Sequence, residues 1–491
     1  MEITSFIVMI ITLSYAFQRI GECHKNKSNL PKLLLISLDG FRWDYLSKVP
    51  STNTTNFSSF INEGCHVRYG LKNIYTTFTY PNHFALVSGL YAESHGVVGN
   101  WMFDPEYNET FSLNNVTQQS QSKWFDNGAE PIWVTNQLQG NDRRSGTMFW
   151  PGSYAPVKGV QITRRQDGFD FKSDTNLAYE TRVDILIKWF TDEYPINLGL
   201  LYIEEPDETG HIHGPDSQEV KNKIMELDKI VGYLLKKIKE ADLHEELNII
   251  LTSDHGMVSE DNFIDLSKFL RPDLYRMFDW NILPNEGQED LVYNQLLKAS
   301  KENGHFKVYH KNEVPSEYFY SKNRRIMPIV LEPEEHYGFA QNLSSLKRLN
   351  KGAHGYNNSL QDMHPFFLAM GPAFKKGASV ESFNNLDVYP LMCHILGLKP
   401  APNNGTLDIV KELLKEEKQY TVVTFATYIA TSILIAFIAG IFMMAACRQH
   451  RKLKHNRQLV LSSVPDGIKF STLLQNESQV PLLSDSDDSL N

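Results

Sequence analysis

Three apolar runs in this chain stop abruptly at acids, and those acids are the side chains best placed to do chemistry. The runs are Lys32 to Asp39, Ile196 to Asp207 and Leu247 to Asp254. Two of them lead into imidazoles, in Asp207-Glu-Thr-Gly-His211 and Asp254-His255-Gly256. A single Asp after a strand is ordinarily a turn residue or a helix cap. Three acids at equivalent strand ends, with histidines four and one residues further on, are not explained by capping. Carboxylates and imidazoles without thiolates match zinc or a similar divalent ion. Such a crowd of carboxylates is tolerable only with cations among them. Paired ions there would polarise phosphoryl oxygens, lower the pKa of a bound nucleophile and clamp both oxygens of an in-line displacement.

The elements that must position these groups follow from the same runs. Short continuous apolar segments suit strands buried on both faces, as in a parallel sheet. Between the second and third runs, Val220, Ile224, Leu227, Val231, Leu234 and Ile238 recur at helical spacing, the pattern of an amphipathic helix. Strand, helix, strand is a βαβ unit with parallel pairing. Arg182 to Phe190 predicts a further helix feeding the second strand. The expected fold class is α/β, a mostly parallel central sheet flanked by helices, and open sheets of this kind bind ligands beyond the carboxyl ends of their strands. One catalytic domain is expected over residues 29–414. Within it, residues from about 261 to 350 carry scattered Pro and weak periodicity and read as an insertion packed over one end of the sheet. No internal repeat is present.

The remaining composition concerns placement. A net charge of −10 gives no electrostatic support for a nucleic-acid-binding surface. Residues 1–23 read as a signal peptide with an apolar stretch from Ile3 to Phe17, although Glu2 stands where a basic residue is usual. Tyr420 to Cys447 contains no charged residue and is followed by Arg448, Arg451, Lys452, Lys454 and Arg457. That length and the basic cluster predict one transmembrane helix over 420–447 with the catalytic domain outside, a single-pass type I protein of the plasma membrane. The lipid bilayer is thus one partner; no protein partner is inferable. Sequons at Asn26, Asn53, Asn56, Asn108, Asn115, Asn342, Asn357 and Asn404 accord with an outward domain. Residues 448–491, ending in Ser484-Asp-Ser-Asp-Asp-Ser, read as a disordered cytoplasmic tail. Of four cysteines, Cys65 and Cys393 are either a disulfide pair or two buried thiols.

At this point the sequence resembles a known family. The segments Ser37-Leu-Asp-Gly-Phe-Arg-Trp-Asp-Tyr45, Phe78-Thr-Tyr-Pro-Asn-His83, Ser94-His-Gly-Val-Val-Gly-Asn100, Trp150-Pro-Gly-Ser153, Glu205-Pro-Asp-Glu-Thr-Gly-His211, Thr252-Ser-Asp-His-Gly256 and His354-Gly-Tyr-Asn357 occur in order. They resemble the ectonucleotide pyrophosphatase/phosphodiesterases of the alkaline phosphatase superfamily, most of all the short type I members numbered four and five. The resemblance implies two Zn2+ ions per site, one held by Asp39, Thr79, Asp254 and His255, the other by Asp207, His211 and His354. It implies that Thr79 is the nucleophile and that Asn100 donates to a phosphoryl oxygen. It also implies that Tyr80 stacks on a nucleobase. The substrates would be extracellular nucleotides such as dinucleoside polyphosphates or NAD, cleaved through a nucleotidyl-threonine intermediate to release a nucleoside 5′-monophosphate. A threonine hydroxyl needs metal coordination to ionise, which agrees.

The chain departs from the family pattern in places. Phe78 stands where nucleotide-cleaving relatives usually carry Lys, which bears on use of a polyphosphate tail. Asn357 replaces an Asp and creates a sequon three residues from His354, so a glycan there would crowd the site. Tyr154 to Tyr179 does not align, and Phe171 is the candidate for the second base-stacking aromatic. Among the other histidines, His83, His95, His213 and His364 read as structural or exposed, with His364 the rival of His354. Sulfatase chemistry lacks its Cys/Ser-x-Pro-x-Arg motif. The alternatives are cleavage of choline phosphodiesters or lysophospholipids on the same metal site, and a non-catalytic adhesion ectodomain.

Overall fold

All of Lys32–Leu38 is buried, and its side chains divide by parity between two cores. Leu33 and Leu35 enter one cluster with Leu198, Leu200 and Ile250; Leu34, Ile36 and Leu38 enter the other with Leu201, Ile203, Ile249 and Leu251. This is the consequence of a strand period of two in a sheet covered on both faces. The structure is a computed structural model and describes residues 30–166, 177–345, 349–416 and 422–462. The expected signal segment, Phe171 and the chain beyond residue 462 lie outside the described residues.

The main sheet has eight strands: β1 Lys32–Leu38, β2 Cys65–Val67, β3 Ser145–Met148, β4 Arg164–Gln166, β5 Leu198–Ile203, β6 Leu247–Thr252, β7 Phe367–Met370 and β8 Ala378–Val380. Their spatial order is β8-β2-β7-β6-β1-β5-β3-β4. Only β7 runs against its neighbours; all other pairings are parallel. The mostly parallel α/β sheet expected from the apolar runs is therefore present.

Four helices matter for the site: α1 Thr79–Ser88, α2 Tyr179–Thr191, α3 Asp207–His213 and α4 Gln218–Glu240. The helix foreseen between the second and third runs is α4, opened by Ser217, whose side chain accepts from Val220 N. Its apolar stripe of Val220, Ile224, Leu227, Val231, Leu234 and Ile238 is buried on one face of the sheet beside Val183, Leu186, Ile187 and Phe190 of α2. Helix α1 packs on the opposite face with Phe84, Ala85, Leu86 and Val87.

Residues 261–350 have more order than their weak periodicity suggests. A four-stranded antiparallel sheet joins Tyr275–Phe278, Asn281–Pro284, Ile329–Pro333 and Phe306–His310, and helix Glu289–Asn303 covers it with a core of its own. The short strands alternate imperfectly, which hid them from a periodicity argument.

Cys65 and Cys393 are buried free thiols, so the disulfide alternative is not realised. Burial raises both to about 12, which leaves them inert packing groups of the core. A separate unit contains helix Val422–Ser462, within which Ala430–Leu459 is, by length and composition, a candidate membrane span. The helix continues past Cys447, where the charge pattern placed the membrane boundary, through the basic cluster.

The insertion is tied to the main unit by a buried ion pair. Arg325 Nε donates to Asp104 Oδ2 at 2.7 Å, both side chains being almost wholly enclosed. The remaining Arg325 donors reach Gly96 O, Trp124 O, Lys123 O and Asn127 Oδ1. Burial opposes ionisation of Asp104, but Arg324 and Arg325 overcome it and hold the carboxyl at about 2. Asp104→Ala would strand a buried guanidinium and should cost about 3–5 kcal/mol. A shift of the urea midpoint at unchanged slope measures it; a loss below ~1 kcal/mol would show that the pair contributes little.

Candidate active site

Strands β6, β1 and β5 are adjacent and in register, with Ser37 opposite Thr252 and Leu38 opposite Ile203. Residues immediately beyond their carboxyl ends must therefore meet. Asp39 follows β1 directly, Asp254 lies two residues past β6, and Asp207 opens α3 four residues past β5. Backbone bonds from Asp39 N to Ile203 O and from Asp207 N to Asp39 O fix the two loops against each other. Gly40 makes this approach possible: its φ is +65°, and a Cβ there would sit 2.8 Å from Asp207 Cβ.

The imidazoles are oriented by backbone carbonyls. The Nδ1 atoms of His211, His255 and His354 face Gly352 O at 2.7 Å, Gly256 O at 2.9 Å and Thr77 O at 3.0 Å. A carbonyl only accepts, so each Nδ1 carries the proton and Nε2 is turned to the acids. His211 Nε2 lies 3.3 Å from Asp207 Oδ2, and His354 Nε2 lies 3.8 Å from Asp207 Oδ1. His255 Nε2 lies 3.3 Å from Asp39 Oδ1 and 3.1 Å from Asp254 Oδ2. The rings of His255 and His354 stack at 3.6 Å.

These contacts leave the acids unsatisfied. Asp39 Oδ1, Asp207 Oδ1 and Asp254 Oδ2 are buried and accept no hydrogen bond, the nearby Nε2 atoms lying out of bonding direction. Buried acceptors of this kind are costly unless something positive completes them. Among the described residues, two groups each bring their donor atoms within 4.8 Å of one another: Asp207, His211 and His354, and Asp39, Asp207 and His255. The first set equals one expected ligand group. The second holds Asp39 and His255 of the other expected group, with Asp207 rather than Asp254 as its third member. Oxygen and imidazole donors with orphaned lone pairs fit divalent metal ions.

On the chain's own charges the cluster is frustrated. Burial, Asp254 and Asp207 push the Asp39 carboxyl well above its usual range. Asp207 moves the other way, to about 2, because its burial is outweighed by His211, His354 and His255 together. His211 rises to about 9 through Asp207 against its burial, while burial and the neighbouring His255 lower His354 to about 3. A bound divalent cation would replace this sharing of protons by direct neutralisation.

Thr79 begins α1 at the edge of this cluster. Its Oγ1 lies 3.4 Å from His255 Nε2, and Asn100 Nδ2 donates to it at 3.4 Å. Asn100 Oδ1 in turn accepts from Tyr80 N at 2.9 Å. The N-terminus of α1 adds partial positive charge where a phosphoryl group would sit.

Other expectations divide. His364 is held by Asn358 O and Tyr69 O, away from the acids, so His354 alone of the rivals reaches Asp207. His95 is buried and accepts from Val97 N, and His213 is exposed. Tyr80, expected to stack on a nucleobase, is 2% exposed and packs against Phe111 and Phe125. Phe78 packs between Trp280 and His354 and forms an apolar wall there. Asn357 donates Nδ2 to Tyr318 Oη at 2.5 Å and to Glu332, turning its amide inward.

Two residues of the site were missed, Tyr202 and Asp279, and His83, read as structural or exposed, is a buried structural residue beside it. Tyr202 donates to Asp39 Oδ2 at 2.5 Å, and His83 links Thr79 O to Ser37 Oγ with its ring 3.3 Å from Asp254 Oδ2. Asp279 accepts from Asn100 N and Trp101 N. His83 falls one turn after Thr79 on α1, a spacing that signalled its place; Tyr202 is hidden in a buried strand, and Asp279 in the insertion.

The fold that carries this centre is alkaline-phosphatase-like, and the kin of the chain narrow it further. The family described as Type I phosphodiesterase / nucleotide pyrophosphatase matches residues 33–357. Human ectonucleotide pyrophosphatase/phosphodiesterase family member 5 is 43% identical over 418 residues, 84% of this chain and 82% of that protein. Human bis(5′-adenosyl)-triphosphatase ENPP4 is 40% identical over 83% of this chain and 88% of its own. Among solved structures, an inactive threonine-to-alanine variant of murine family member 5 in complex with AMP superposes with a TM-score of 0.73 at 41% identity, covering 78% of this chain and all of that one. The chain belongs to the ectonucleotide pyrophosphatase/phosphodiesterase family of hydrolases.

The unsatisfied carboxylates generate a metal-removal prediction. Stripping divalent ions from the full-length protein with a chelator should lower its Tm by on the order of 5 °C, and added zinc should restore it. A Tm indifferent to both would contradict a metal centre here.

Proposed function

We propose that this chain is a two-zinc ectonucleotide phosphodiesterase/pyrophosphatase acting through Thr79. The observation carrying the proposal is the Thr79 hydroxyl, poised 3.4 Å from both His255 Nε2 and Asn100 Nδ2 beside buried, unsatisfied carboxylates. A relative named as a bis(5′-adenosyl)-triphosphatase and another whose threonine-to-alanine variant is inactive and holds AMP support it.

Asp39, Thr79, Asp254 and His255 would hold one zinc, and Asp207, His211 and His354 the other. When bound, the pair supplies Lewis acidity and lowers the pKa of the attacking hydroxyl. The chain does the rest. Thr79 Oγ1 bonds to phosphorus as the leaving group departs in line, giving a nucleotidyl-threonine. Asn100 Nδ2 donates to a non-bridging oxygen whose charge grows in the transition state. Carbonyl-anchored Nδ1 atoms keep Nε2 of the three histidines facing inward. Water then cleaves the threonine ester, frees the hydroxyl and releases a nucleoside 5′-monophosphate. The substrates are extracellular nucleotides such as dinucleoside polyphosphates or NAD. The apolar helix anchors the catalytic domain outside the plasma membrane in type I orientation.

A second substrate class is favoured by one observation, the Phe78–Trp280 pair at 5.5 Å beside His354. An aromatic wall there suits the quaternary ammonium of a choline phosphodiester through cation–π attraction. Assaying thymidine 5′-monophosphate p-nitrophenyl ester against a phosphorylcholine ester separates the classes.

Thr79→Ala should lower turnover of the thymidine ester by on the order of 10³-fold or more, since the covalent route is lost. Unchanged turnover would refute the mechanism. On an outward domain the sequons should also sort by their amides. Asn108 and Asn404 are exposed and should carry glycans, whereas Asn56, bonded to Asp228 Oδ2 at 2.8 Å, and Asn357 should stay bare. Glycopeptide mass spectrometry decides this, and a fully occupied Asn357 would contradict the inward amide.

A further inference from the structure

We propose that Asp279, delivered by the insertion, is a positioning residue that holds Asn100 against Thr79; this rests on the roles given above to Asn100 and Thr79. Asp279 and Trp280 are the two turn residues between strands Tyr275–Phe278 and Asn281–Pro284, which pair directly at Phe278 and Asn281. Asp279 has φ +47°, a left-handed conformation that Asp tolerates in two-residue hairpin turns. The turn points into the site from outside the main sheet. Asp279 Oδ2 accepts from Asn100 N at 2.7 Å and from Trp101 N at 3.1 Å. On the same residue, Asn100 Oδ1 accepts from Tyr80 N while Nδ2 reaches Thr79 Oγ1. The carboxylate thus fixes the backbone of the residue whose side chain spans the first turn of α1.

One glycine admits the turn: a Cβ on Gly99 would collide with Asp279 Oδ2. Trp280 Nε1 donates to Gly355 O at 2.9 Å, next to His354, and anchors the turn on its other side. A carboxylate accepting two consecutive backbone N–H groups sets their direction closely. Without it, the Asn100 loop has one anchor fewer beside the nucleophile. A displacement of about 1 Å at a catalytic donor is worth up to about 10²-fold in rate.

The test uses full-length protein in detergent with thymidine 5′-monophosphate p-nitrophenyl ester. Asp279→Ala should lower kcat roughly 10- to 100-fold with KM within about twofold of wild type. Asp279→Asn, which keeps an acceptor oxygen, should recover most of the rate. In an Asn100→Ala background, Asp279→Ala should add little, because it acts through the side chain already removed. Gly99→Ala presses on the same contact from the other side and should also lower kcat, so it decides the matter if Asp279→Ala fails to fold. Wild-type kcat in Asp279→Ala or in Gly99→Ala would overturn the proposal, as would losses that multiply with Asn100→Ala. Full activity of Thr79→Ala would instead refute the underlying mechanism, and the positioning role with it, whatever Asp279 does.

Discussion

Three buried carboxylates at the ends of adjacent strands repel one another, and much of the site is arranged around that repulsion. Asp39, Asp207 and Asp254 are brought together because β5, β1 and β6 are parallel and in register. A parallel sheet covered on both faces leaves its carboxyl edge as the place where polar side chains can gather. The sheet obtains its stability from the alternating burial of Leu33 to Leu38 and their neighbours, so the acids are held together by packing energy. Three imidazoles then face them with Nε2, each locked by a carbonyl at Nδ1. Still, one oxygen of each acid accepts nothing. Divalent cations complete such a site in a way that protons and imidazoles do not.

Much of this was legible in the chain because it is local. The apolar runs gave the three central strands, and helical spacing gave α2 and α4. The acid at the end of each run marked the edge where chemistry gathers. Asp207 and His211 are one helical turn apart, so their convergence follows from spacing alone. Thr79 is different in kind. Nothing in periodicity separates it from Thr76 or Thr77, and only the resemblance of Phe78-Thr-Tyr-Pro-Asn-His83 to a family motif singled it out.

What was illegible depended on long-range contact or on depth. Tyr80 has the right type to stack on a base, yet it faces Phe111 and Phe125 across a core that its own position does not reveal. Cys65 and Cys393 were two possibilities, and the sheet and helix that carry them settle them as separate thiols. The insertion was the largest gap. Two of its four strands form a hairpin with a two-residue turn, but Ile329–Pro333 pairs with Asn281–Pro284 and Phe306–His310 across long connections, and pairing of that kind leaves no signature within any single strand.

That insertion also answers a topological problem. His255 leaves the sheet after β6, and His354 must come back to the same carboxylate edge after the whole of 261–350 has intervened. A flexible connection would scatter His354 over a large volume, at an entropic cost that grows with loop length. A folded insertion removes that freedom, provided it is itself fastened to the main unit. Among its fastenings are Arg325 on Asp104, Tyr320 Oη on Val98 O, and the Asp279–Trp280 turn on Asn100 and Gly355. All three grip the segment from Val98 to Asp104, which contains Asn100, and the third also grips the loop that contains His354. Asn100 and His354 are thus located by one body, built from a stretch of the chain whose periodicity is weak.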